Sequence, residues 1–260
     1  MDILEEKFVF TVDIFKSEPF FYIPLNGCSV DGVEEFPHSA LYNVPYDWII
    51  DWGDSSIEIF SGISSTDDIH IKHEFSTEEN KSYQITIRPN KDDYGWMRAW
   101  GFSLKNDENT ARKTADLVKS FDYITNKSFM KSETSYGDYY MAFMCMNTGI
   151  TITANEVQTV SEKNIQHIAN SFRFYQYANC MNLEHPAEEV FGPNVTSIGH
   201  NFRGWQYSGC KNLSGSTSIS NKIDNIVDVG HGYRSSQFWG CIRYSYVWLN
   251  SIANMKKFTY

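Results

Sequence analysis

At 260 residues the chain has room for one large domain or two smaller ones. Its apolar fraction of 42% and aromatic fraction of 16%, with 18 Phe, 16 Tyr and 7 Trp, belong to a folded protein and exclude a disordered one. The net charge of −10 opposes a phosphate backbone and no basic stripe offsets it, so nucleic acid is excluded as a partner. No stretch approaches the roughly 18 apolar residues that span a bilayer. The start, Met1-Asp2-Ile3-Leu4-Glu5-Glu6-Lys7, has neither a basic nor an apolar region, so no secretory signal is expected there.

Residues 1–95 read as a β-sandwich. Short aromatic and β-branched runs are divided by Gly, Asn, Ser, Asp and Pro, the punctuation of an all-β fold. They are Phe8–Ile14, Phe20–Leu25, Tyr46–Trp52, Ile57–Phe60, Ile69–Phe75 and Tyr83–Ile87. The third run ends in Asp51-Trp52-Gly53-Asp54-Ser55-Ser56, and His73-Glu74-Phe75 follows about twenty residues later. In such a turn Asp bonds the backbone and Gly takes left-handed φ. Asp51 and Asp54 are also candidate oxygen ligands for calcium, although such a site needs six or more oxygens. The motif resembles the polycystic-kidney-disease (PKD) type of β-sandwich, with Ser55 in place of its glycine and Phe75 in place of its tyrosine.

Residues 96–139 read as a junction. It includes Asn106-Asp107-Glu108-Asn109 as a loop and a helical turn or two over 110–121. The aromatic segment Gly95–Phe102 packs at its start.

Residues 140–260 repeat themselves. Phe172-Arg173-Phe174-Tyr175-Gln176-Tyr177-Ala178-Asn179-Cys180 returns as Phe202 to Cys210 and again as Tyr233 to Cys241. The cysteines are 30 residues apart from 180 to 210 and 31 from 210 to 241. A degenerate copy ends at Cys145. The ladder Phe172, Arg173, Gln176, Cys180; Phe202, Arg203, Gln206, Cys210; Tyr233, Arg234, Gln237, Cys241 reads as architecture. Wound as a helix at about 100° per residue, the recurring positions fall within an arc of about 140°. The changing positions fall on the other side, as a short helix stacked between neighbours requires. With Val195-Thr196-Ser197-Ile198-Gly199 leading in and Gly209-Cys210-Lys211-Asn212-Leu213 leading out, the repeat resembles the cysteine-containing leucine-rich repeats of BspA-type bacterial surface proteins. The expected fold class is therefore α+β: an N-terminal all-β sandwich of PKD or Ig-like type, then a short leucine-rich-repeat-like solenoid with one short helix per repeat. The resemblance implies an extracellular or cell-surface location and an adhesive or recognition role.

The stacked cysteines read as free, buried thiols, since neighbouring helices would lie beyond disulfide reach. The Arg173, Arg203, Arg234 column has two readings, a grip on an anion or bonding between repeats, and its place on the recurring arc favours the second. His200 and His231, one repeat apart, suit a helix entry better than a metal. No HExxH, GxSxG, P-loop or GxGxxG motif occurs, and Glu188-Glu189 and Asp67-Asp68 read as solvated charge, so no catalytic residue and no cofactor is expected. The expected function is a non-catalytic recognition or adhesion module that binds a protein or glycan, such as a host surface, with self-association as a further property. The candidate contact residues are the non-repeating aromatics Phe174, Tyr175, Trp205 and Trp239. Two other classes stay open: a structural or receptor-binding component of a phage tail or injection apparatus, and a glycan-acting enzyme.

Overall fold

The computed structural model describes residues 7–24, 45–63, 70–90, 111–125, 130–132, 135–136, 145, 147–153, 156–157, 165–170, 172–173, 175–186, 194–214 and 228–241. Phe174, the aromatic segment from Gly95 to Phe102, Asn106–Asn109, Asp67-Asp68 and Glu188-Glu189 lie outside the described residues.

Six strands form in the first ninety residues: β1 (Phe8–Ile14), β2 (Phe20–Pro24), β3 (Pro45–Asp51), β4 (Ile57–Ile63), β5 (His70–Glu74) and β6 (Lys81–Pro89). A 3-10 helix (Ala111–Leu117) leads into β7 (Val118–Thr125), so of the expected helix over 110–121 only the first part is helical. Short strands follow: β8 (Met130–Ser132), β9 (Ser135–Tyr136), β10 (Glu156–Val157), β11 (His167–Ile168), β12 (Ser197–Ile198) and β13 (Asp228–Val229). The larger sheet has the order β10-β7-β1-β6-β3-β4. It is antiparallel except at its β10 edge, where Glu156 faces Ile124 and Val157 faces Thr125 in parallel.

Alternation fills one face of that sheet. Phe8, Phe10, Val12 and Ile14 of β1 are buried beside Tyr83, Ile85 and Ile87 of β6 and Trp48 and Ile50 of β3. Aromatic and β-branched side chains suit such a half-buried pleat. The two-stranded β2–β5 sheet supplies Phe21 and Ile23 to the same core, and the Phe10 and Phe21 rings lie 5.9 Å apart. The Tyr22 N–H donates to Thr114 Oγ1 at 3.0 Å and ties that ribbon to the 3-10 helix.

The repeats form differently from the expected α+β solenoid. The described residues are nearly all β and turn, their helical element is the 3-10 helix, and neither one helix per repeat nor a solenoid built from such helices is present among them. The reason lies in the backbone. Arg173 and Tyr175, Asn201, Arg203 and Trp205, and Gly232, Arg234 and Ser236 all have φ between 51° and 71°. Left-handed residues at every second position cannot continue a right-handed helix.

The hydrogen bonds show what the alternation achieves. The N–H groups of Gly204, Gln206, Ser208 and Cys210 each close a turn on the carbonyl three residues back. The N–H groups between them cross to the next repeat: Trp205 to Ser235 O, Tyr207 to Gln237 O and Gly209 to Trp239 O. Tyr175, Tyr177 and Asn179 do the same toward Gly204, Gln206 and Ser208. Half of the donors thus make the turn and half bind the neighbour, which satisfies the backbone without a helix. Beside these turns β9, β11, β12 and β13 pair in parallel, and the whole second sheet has the order β13-β12-β11-β9-β8.

Candidate functional site

Several side-chain columns run through the stack. Phe172 stacks on Phe202 at 5.3 Å and Phe202 on Tyr233 at 5.3 Å; Tyr177, Tyr207 and Phe238 form a parallel series at 5.4 and 5.3 Å. Between them Gln206 Nε2 donates to Gln176 Oε1 at 3.0 Å, and Gln237 Nε2 donates to Gln206 Oε1 at 2.8 Å. All three glutamines are buried. A buried amide is stable only when paired, and this column pairs each with the equivalent residue of a neighbouring repeat.

The arginines are buried too, at 8%, 2% and 8% exposure for Arg173, Arg203 and Arg234. The Arg203 guanidinium lies over Phe172 at 5.7 Å and over Phe202 at 5.3 Å, and Arg234 over Tyr233 at 6.0 Å. The column therefore packs against the aromatic rungs, a cation–π arrangement inside the stack, while the glutamines bond one another.

Cys145, Cys180, Cys210 and Cys241 are free. The thiols of Cys180, Cys210 and Cys241 donate to the carbonyls of Cys145, Tyr177 and Tyr207 at 2.9, 3.0 and 3.0 Å. Burial raises the Cys241 thiol to about 11 and holds Cys210 well above its ordinary value. Such thiols stay protonated and make poor nucleophiles or metal ligands.

The aromatic candidates behave otherwise. The Tyr175 and Trp205 rings lie 5.7 Å apart and within 5° of parallel, and Trp239 lies 5.8 Å beyond Trp205, tilted by 57°. Tyr175 and Trp205 are partly exposed, and Trp239 is 64% exposed. Three of the four proposed contact residues thus form one surface column. By sequence the place of Trp205 in the last repeat is held by Ser236, and both have left-handed φ, 54° and 51°. Trp239 comes from a different repeat position and continues the column where Ser236 has no ring. The helical wheel groups these residues on one arc but does not disclose that convergence. Its visible signal is the loss of an aromatic at 236 beside the gain of one at 239.

The acidic turn is a second polar cluster. The Gly53 N–H donates to Asp51 Oδ1 at 3.0 Å and the Ser56 N–H to Asp54 Oδ1 at 2.9 Å, and the Ser56 hydroxyl also donates to Asp54. His73 sits between two carboxylates, with Nε2 2.9 Å from Asp54 and Nδ1 3.3 Å from Glu58. Its ring stacks on the buried Trp52 at 4.3 Å. Burial acts to raise the Asp54 carboxyl, but hydrogen bonds from Ser56 and His73 outweigh it and hold the group below its ordinary value. Asp51 and Asp54 therefore bond the turn backbone, and among the described residues no three His, Cys, Asp or Glu side chains gather as a metal site. Nor is any described helix long and apolar enough to cross a membrane. His200 and His231 stack at 5.2 Å, and the His231 N–H donates to His200 Nδ1 at 2.9 Å.

No family model matches the chain, and no curated protein or solved structure matches it either.

Proposed function

We propose that this chain is a non-catalytic recognition or adhesion module that binds a protein or glycan along the Tyr175–Trp205–Trp239 column. One observation carries the reading. The third repeat folds with Ser236 in the place of Trp205, so the stack does not need a large ring there, yet Trp239 extends the aromatic column over the gap. A feature that the fold does not require, and that two different positions supply, suits a contact surface.

The column also constrains the ligand. Trp205 lies between Tyr175 and Trp239 and so offers its edge, while Trp239 is 64% exposed. The surface fits one stacked pyranose or one apolar peptide anchor better than a run of stacked sugars. A bacterial surface setting follows from the resemblance of the repeats to BspA-type proteins. The phage tail or injection apparatus reading remains the alternative, and a glycan-acting enzyme the second.

The test is binding of the full chain to a glycan array and to whole cells, compared with Trp205→Ser. Ser236 shows that serine fits this backbone conformation. The proposal expects saturable binding that falls at least tenfold in the variant at unchanged fold. Equal binding by both proteins would remove the column from the account.

A further inference from the structure

The large sheet ends at β4, and that edge carries none of the usual protection. β4 is the outermost strand of the order β10-β7-β1-β6-β3-β4. It pairs with β3 over its whole length without a register shift, from Asp51 against Ile57 to Pro45 against Ile63. Exposed edges are normally blunted by lysine, proline, a bulge or a very short strand. The sequence Ile57-Glu58-Ile59-Phe60-Ser61-Gly62-Ile63 has none of these, and Ile57 and Ile59 are 63% and 67% exposed.

Two bonds settle which backbone groups face outward. The Trp52 N–H donates to Ser56 O at 3.1 Å, and the Asn90 N–H donates to Asp47 O at 2.8 Å. Alternation then turns Asp47, Ile49 and Asp51 toward β6, and Glu58 and Phe60 toward β3. The N–H and C=O groups of Ile57, Ile59 and Ser61 point away from β3, and among the described residues they meet no partner.

Side chains sort by face in the same way. Trp48 and Ile50 drop into the core, so Ile49, Ile57 and Ile59 lie on the outer face of the sheet. There the row Arg88, Ile49, Ile59 runs from an exposed charge to an apolar edge. Glu58, the one charged residue of β4, lies on the inner side, 3.3 Å from His73 Nδ1.

We infer that β4 pairs antiparallel with β4 of a second copy of the chain, about a two-fold axis through Ile59, so that the two large sheets become one. Self-complementarity selects this occupant. A dyad at Ile59 sets it against the partner's Ile59 and sets Ile57 against the partner's Ser61. In that register the outward N–H and C=O groups of both strands bond one another. Ile57 and Ile59 of each copy then cover one another, with Ile49 behind them and Arg88 at the rim, the apolar centre and polar border of an interface. Glu58 faces the partner's Phe60, so no like charges oppose across the seam. For chains of net charge −10, an edge whose one carboxylate is already bonded is where two copies meet with least repulsion. The other edge, β10, is two residues long and offers no matching strand, so the pairing closes at two.

Sedimentation velocity of the full chain, from micromolar concentration to the solubility limit, should show a species of twice the 30.0 kDa chain mass. Ile59→Lys places two ammonium groups at the axis and should raise the dimer dissociation constant by roughly tenfold or more at an unchanged circular dichroism spectrum. Ile152→Lys, at an exposed residue of the repeats, should leave the dimer intact. Cysteine substitution then reads the register. Directly opposed residues of a bonded pair lie about 5.5 Å apart, within disulfide reach. Ile59→Cys should therefore cross-link to its own copy under mild oxidation, whereas Ile57→Cys, offset from its copy, should not. A monomer at every concentration, a dimer indifferent to Ile59→Lys or lost in Ile152→Lys, cross-linking of Ile57→Cys as fast as Ile59→Cys, or a ladder of larger masses would each overturn the proposal. These variants spare Tyr175, Trp205 and Trp239, so their outcome is read separately from ligand binding.

Discussion

The large antiparallel sheet and the stack of repeats satisfy the same backbone groups in opposite ways. In the sheet, β1 pairs along its length with β6 and β7, and alternate side chains drop into a shared core. In the stack, strands are two residues long, turns carry left-handed residues, and the side chains make continuous columns from one repeat to the next. The first region uses its sequence for apolar alternation. The second uses it for register, since Gln206 must meet both Gln176 and Gln237. A sheet of this kind tolerates a change of apolar shape, whereas a column of paired amides does not tolerate a missing rung.

Breaking each region in turn tests that contrast. The largest effect is expected in the sheet: Trp48 is fully buried, and Trp48→Ala should cost about 4 kcal/mol in denaturant unfolding through the cavity it leaves. Gln206→Ala removes far less apolar surface but strands the amides above and below it. It should still cost about 3 kcal/mol. A loss under about 1 kcal/mol there would mean the glutamine column does not hold the repeats in register.

Ser55→Gly should move the other way. Ser55 has φ of 78°, in a turn whose other left-handed residue is Gly53, and glycine removes a steric penalty of about 1 kcal/mol. A higher unfolding midpoint at unchanged m-value is the expected result.

The smallest effect is a pH slope. Asp54 is held below its ordinary value in the folded chain, so its contribution is complete above the unfolded aspartate value of about 3.9. That contribution fades as the pH falls through the lower folded value. Asp54→Asn should flatten the acid limb of stability against pH and leave the slope above about pH 5 unchanged.

Much of the first region is legible in the amino-acid sequence. Phe8–Ile14, Phe20–Pro24, Ile57–Phe60 and Tyr83–Ile87 lie within observed strands because alternation in aromatic and β-branched runs is a direct statement about a pleated surface. The recurrence of Phe, Arg, Gln, Tyr and Cys is legible too, and its members do stack between repeats. The turn-based backbone is not. Arginine, tyrosine and tryptophan rarely take left-handed φ, so nothing in Arg173, Tyr175, Arg203 or Trp205 announces it, and a recurring arc on a helical wheel offers a simpler explanation. Among the described repeat residues only Asn147, Asn179, Asn201, Gly209, Gly232 and Gly240 fit the usual preference. The clasp of His73 between Asp54 and Glu58 joins strands that the sequence separates, so spacing alone does not disclose it.

The central claim is that neighbouring residues of one repeat divide the labour, with buried columns holding the stack and the Tyr175–Trp205–Trp239 column meeting the ligand. Stability and cell-surface binding measured side by side for Trp205→Ser and Gln206→Ala test it most directly. The account predicts that Trp205→Ser costs about 1 kcal/mol of stability yet loses binding. Gln206→Ala should lose stability first and bind normally wherever it remains folded. The reverse pattern, a destabilised Trp205→Ser that still binds or a stable Gln206→Ala that does not, would contradict it.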